Sequence, residues 1–204
     1  MKNRTDEVWA ALATFIEERG LRDISQIVPA FETHAKTLVQ NMRAALLSCN
    51  EQALELQRKA EKCETAFVTL SFLDSSILSG AYDLRIDFYD GGFLGDIAEA
   101  CVYFAYSPLI PIYQESVSVI CREATKHFTR FMDYEKNALA WKYKNEVLYE
   151  MVISVCSICL LHPDMADLWT QLNLSQNCVF TCGRFLHDQR LYMRFLPAEG
   201  VSAL

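Results

Sequence analysis

No Gly-rich phosphate loop, G-x-S-x-G elbow, H-E-x-x-H pair or dinucleotide fingerprint occurs in the 204 residues. Each of those motifs sets particular atoms around a phosphate, an acyl carbon or a metal. Their absence argues against the common nucleotide-dependent and hydrolytic classes. No apolar stretch reaches the roughly 18 residues that a membrane-crossing helix needs. The longest, Met151–Leu161, suits a buried helix instead. Basic residues are in deficit: 19 Lys and Arg stand against 26 Asp and Glu, a net charge of −7. Phosphate backbones are held by clustered cations that release counterions, so no nucleic-acid partner is expected. An acidic surface serves solubility, or meets a basic protein partner. Repeats, low-complexity tracts and linkers are lacking too, which makes one domain over 1–204 the economical reading.

Cysteine is present in number, at eight residues. The opening Met1–Glu7 is polar and leads into an amphipathic pattern, not a continuous apolar segment. Together with the apolar surroundings of most of the cysteines, this points to reduced, buried thiols in a cytoplasmic protein.

Helical periodicity dominates. It predicts helices at about 5–19, 25–47, 50–79, 112–132, 134–161 and 164–172. Thr5 caps the first and Gly20 ends it; Asn50 caps the third and Gly80 ends it. In that third helix Leu56, Ala60, Cys63, Phe67, Leu70 and Ile77 recur as a heptad-like seam, interrupted at Asp74. A turn or bend near Asp133 divides the long run to Leu161, since one helix of that length is out of scale with the chain.

Period-two patterns predict strands at about 82–89, 99–106, 178–182 and 190–195. A turn is expected at Asp188–Gln189, breaks at Ser107–Pro108 and Ile110–Pro111, and a loose end at Val201–Leu204. The fold class that follows is α+β and predominantly helical. An irregular helical bundle carries a small antiparallel sheet built from two hairpins.

Three constellations bear chemistry. Cys156, Cys159, Cys178 and Cys182 form two short pairs, with His162 and His187 close in sequence. That spacing suits zinc, and zinc is the cofactor such a set would take; the other readings are buried thiols, with no cofactor, and a redox pair. Asp83, Arg85 and Asp87 share the wet face of the first strand, where carboxylates flanking a cation suit acid–base work or an edge strand's solubility. Arg184, Arg190 and Arg194 form a basic face that either reads an anion or neutralises Asp83 and Asp87.

The leading functional reading is a non-enzymatic protein-binding or accessory protein, acting through an acidic surface or a helical groove. Self-association is left open. The alternatives are a small-molecule-binding protein or enzyme, with a polar pocket between sheet and helices, and a zinc-stabilised module.

Overall fold

The computed structural model describes residues 4–79, 83–105, 110–186, 189–196 and 200–203. The chain divides into two compact units, Met1–Thr33 with Pro108–Met151, and His34–Ser107 with Val152–Leu204.

The first unit is helical. Helix α1 (Arg4–Ala11) passes with little interruption into α2 (Ala13–Arg58): Leu12 N donates to Val8 O at 3.0 Å and Ile16 N to Leu12 O at 2.9 Å. The helix therefore runs through Gly20, where the sequence predicts an end, and through Pro29. The physical reason lies in the buried stripe, which is continuous through Val8, Leu12, Ile16, Asp23, Ile27 and Phe31. Asp23 occupies a core position, so the apolar pattern lapses in sequence where the helix does not.

Helices α4 (Ile110–His127) and α5 (Asp133–Leu160) flank residues 128–132. The start of α5 carries the glutamate half of a capping box. Glu135 Oε2 accepts from Met132 N at 2.6 Å, and Glu135 N donates back to Met132 O. Arg4 Nε lies 3.0 Å from Glu135, whose side chain is buried. Ile120, Ala124, Leu139 and Tyr143 complete this unit's core.

The second unit contains a six-stranded sheet in the order β3-β2-β1-β4-β5-β6. The strands are β1 (Thr65–Phe72), β2 (Asp83–Tyr89), β3 (Cys101–Ala105), β4 (Leu174–Arg184), β5 (Gln189–Leu196) and β6 (Gly200–Ala203). All neighbours are antiparallel except β1 and β4, which run parallel. Val68, Leu70 and Phe72 of β1 stand beside Phe88, Ile86 and Leu84 of β2. All six are buried, as are Phe180 and Cys182 of β4. Cys49 of α2 reaches this sheet, with its Sγ 3.2 Å from Ala100 O. Trp169 meets Phe180 edge-on at 5.6 Å between ring centroids. The opposite face carries Thr69, Ser71, Arg85, Asp87 and Thr181.

This sheet overturns the expected small antiparallel sheet of two hairpins: it is mixed and built around β1. That strand lies inside the interval 50–79 for which the spacing predicts a helix. Only 50–58 and the short α3 (Asp74–Ser79) are helical there. The helical reading misses that Val68–Thr69–Leu70–Ser71–Phe72 also alternates with period two, the pattern that a strand buries. Two further corrections follow. The interval 164–172 forms two 3-10 turns, Pro163–Met165 and Leu168–Thr170, not one helix. Residues 201–203 are not loose: Gly200–Ala203 pairs with β5. The stop at Gly80, the break at Ser107–Pro108 and Asp188 of the expected turn lie outside the described residues.

Candidate functional site

The first unit holds a groove of about 300 Å³ along one helical stripe. Trp9, Ala13, Ile16, Gly20 and Ile24 succeed one another at spacings of three and four, so they lie on one face of the α1–α2 run. Glu17 and Leu21 line it one row over, and Tyr143 of α5 contributes from the opposite side. Gly20 offers no side chain, which leaves the stripe notched at its middle. Leu21 is 62% exposed although it belongs to a hydrophobic lining. Lys142 stands over the Trp9 ring with its Nζ 4.8 Å from the centroid, and its Nζ also lies 3.1 Å from Asp6 Oδ1.

Beside the groove lies a polar knot. Asp23 is 1% exposed and accepts two hydroxyl hydrogen bonds, from Ser116 Oγ at 2.7 Å and from Tyr143 OH at 2.8 Å. Burial raises the Asp23 carboxyl above its ordinary range, against the lowering pull of the two hydroxyls and of Arg19 and Arg22. Burial also raises the Tyr143 phenol, and Asp23 adds to that shift. Arg19 and Arg22 each place an Nη2 within 3.7 Å of Glu115 Oε1.

The residues singled out in sequence lie in the second unit. Arg85 Nε donates to both oxygens of Asp87, at 2.8 and 3.0 Å, and Arg85 Nη2 also bonds Glu99. The Arg85 guanidinium lies 4.5 Å from the Phe185 ring centroid. Asp87 is buried, not on a wet face, and its carboxyl is raised by that burial despite Arg85. Asp87, Glu99 and Cys101 bring possible ligand atoms within 4.8 Å of one another. The guanidinium already supplies the positive charge there, and burial pushes the Cys101 thiol up to about 11. Asp83 lies at the head of β2, where its N–H donates to Ser76 Oγ at 2.7 Å.

The arginines do not form one face with Asp83 and Asp87. Two strands, β1 and β4, separate β2 from β5, a spacing of about 14 Å at about 4.8 Å per strand. Arg184 instead holds Asp74 through two bonds, Nε–Oδ1 at 2.8 Å and Nη2–Oδ2 at 2.5 Å. This also accounts for the carboxylate that interrupts the predicted seam: Asp74 opens α3. Arg190 and Arg194 are exposed on β5.

Of the four cysteines, Cys156 and Cys182 come together side chain to side chain. Among the described residues, three thiols of the set do not converge within ligand distance of one another. Burial pushes Cys159 and Cys178 up to about 12, and the contact with Cys182 together with burial raises Cys156. All eight cysteines are free thiols.

Sequence reasoning missed the groove because Gly20 reads as a helix end, which assigns Leu21 and Ile24 to a loop. The signal was available: Trp9, Ala13, Ile16, Gly20 and Ile24 keep helical spacing across that glycine.

No family model matches the chain, and neither does a curated protein or a solved structure.

Proposed function

We propose that the protein is a non-enzymatic binding protein whose first unit takes an amphipathic, basic helix of a protein partner in the groove along Trp9–Ile24. The carrying observation is Leu21, a large apolar side chain 62% exposed on the lining of a groove that is mostly apolar. An amphipathic helix docks by laying its apolar residues into such a channel. The notch at Gly20 leaves room for one anchoring side chain. Glu17 is an exposed carboxylate on the lining, and the net charge of −7 favours a cationic partner. Eight free thiols fit a reducing compartment such as the cytoplasm.

The test uses a synthetic helix with a leucine face and lysine flanks, and the emission of Trp9 as its readout. Binding gives a saturable shift that Trp9→Phe removes. Leu21→Asp and Gly20→Leu each weaken it by about tenfold or more, as loss of one buried aliphatic contact implies. Glu17→Lys weakens it less and flattens its salt dependence. No saturable shift, or one that Leu21→Asp and Gly20→Leu leave intact, rejects the reading.

A further inference from the structure

The groove ends on a cation that belongs to the protein itself. Trp9 is the first residue of the lining, and Lys142 of α5 stands over its ring, with Nζ 4.8 Å from the centroid and 3.1 Å from Asp6 Oδ1. The face of an indole attracts a cation through its quadrupole, and a carboxylate beside it adds a charge partner. Asp6 and Trp9 are three residues apart on α1, so one helical face presents both. Together they hold an ammonium group, and Lys142 is the one they hold in the free protein.

Lys142 is held there loosely. Its side chain is 34% exposed and that of Asp6 58%. An ion pair this open contributes little, because water solvates both charges and the long side chain loses freedom in forming it. The Lys62–Asp96 pair shows the contrast: both of its side chains are enclosed, and backbone N–H groups add to the hold on Asp96. The Lys142 ammonium can swing out into water at small cost. The indole and the carboxylate stay in place, since Thr5 and Val8 beside them on α1 are buried. A second carboxylate repeats the first. Glu17 lines the groove, is exposed, and follows Asp6 by eleven residues, which is three helical turns or about 16 Å.

We infer that Trp9 and Asp6 form a cation subsite of the groove, and that a lysine of the bound helix displaces Lys142 from it. The inference rests on the groove reading above and narrows the partner. That helix carries two lysines eleven residues apart beside its apolar face, one for Trp9 and Asp6 and one for Glu17. The exchange replaces one ammonium by another, so no carboxylate is left covered and unpaired. Lys142 thereby acts as an intramolecular competitor that lowers the affinity of the groove for cationic helices.

Calorimetric titration with two synthetic helices tests this, since its signal does not depend on the emission of Trp9. Both have the same leucine face. One carries lysines eleven residues apart, and the other has glutamines at those two positions. Lys142→Met keeps the aliphatic stem and removes the competitor. It should tighten binding of the lysine helix by about threefold or more, the scale of an exposed cation–π contact, and leave the glutamine helix unchanged. Lys136→Met, on the same helix, releases the exposed Asp133 in the same way and gives the baseline for a change of net charge alone. In the Lys142→Met background, Asp6→Asn should take the gain back. The inference is overturned, and the groove reading left standing, if Lys142→Met weakens binding of the lysine helix or tightens it no more than Lys136→Met does. Equal tightening of both helices has the same consequence. If neither helix binds, the groove reading falls and this inference falls with it.

Discussion

Asp23 has the most unusual environment of any single side chain in the first unit. It sits in the core stripe of a helix, and its two oxygens are satisfied by hydroxyls, not by a cation at bonding distance. Its carboxyl is raised from 3.8 by burial. A carboxyl with a raised folded-state pKa contributes stability that is complete below the unfolded value. That contribution is lost as pH rises through the folded value. The expected outcome is that wild type, relative to Asp23→Asn, gains stability as pH falls from neutrality toward 3.8; paired urea titrations measure the difference. A pH-independent difference means that Asp23 carries no raised pKa. Tyr143→Phe takes away one donor and leaves a buried carboxyl oxygen short of a partner. It should cost about 1–3 kcal/mol, the range for a buried polar group left unsatisfied.

At the scale of elements, the stop of α2 decides how the second unit is built. Glu61 N donates to Leu56 O and Ala60 N to Gln57 O, with Ala60 at φ 58°, which is a Schellman ending. Glycine normally occupies that left-handed position, and alanine there is strained by about 1–2 kcal/mol. Ala60→Gly should therefore stabilise the protein by about 1 kcal/mol, read as a higher urea midpoint at unchanged slope. An unchanged or lower midpoint contradicts the ending.

The same residue explains the main misreading of the sequence. With alanine at the stop, nothing punctuates 50–79, and the seam through Phe67 and Leu70 reads as one helix. β2 was legible because Asp83, Arg85 and Asp87 alternate with Leu84, Ile86 and Phe88, and β3 because a half-buried strand needs a pairing partner. β1 is largely buried and lacks charged residues, so its period-two alternation of apolar and hydroxyl side chains is weakly marked, and the helical spacing through Phe67 and Leu70 competes with it. The groove was hidden by the opposite error, a glycine that looks like a stop inside a helix that continues. The loop between β2 and β3 has its own anchor, likewise without a sequence motif. Lys62 and Asp96 form a buried ion pair, and Asp96 also accepts from the backbone N–H groups of Asp90 and Ala98 at 2.9 Å each. Lys62→Met strands that carboxylate and should cost about 3–5 kcal/mol. Adding Asp96→Asn should recover part of the loss, and a thermal-melting cycle over the four proteins reads the coupling.

At the scale of the whole molecule, the eight thiols report on the packing of the entire chain, because they are spread over α2, the β1 approach, β3, α4, α5 and β4. Cys49, Cys156, Cys159, Cys178 and Cys182 are buried, Cys101 and Cys121 are partly covered, and Cys63 is exposed. Thiolate is the reacting species, so a thiol both covered and raised in pKa is doubly protected. Burial raises Cys49, Cys101, Cys121, Cys159 and Cys178, and burial contributes with Cys182 at Cys156. A disulfide-exchange reagent added to native protein should therefore modify one thiol quickly, and Cys63→Ser should abolish that phase. Cys101 and Cys121 should follow slowly, and the remaining five only in denaturant. Because no pair is oxidised, reductant should leave the melting temperature unchanged. Fast modification of several thiols in the native state would mean that the apolar face of the sheet is not covered. The buried cysteines on it, Cys178 and Cys182 beside Phe180, then could not be the core filler on which both the sheet order and the register of β4 against β1 depend.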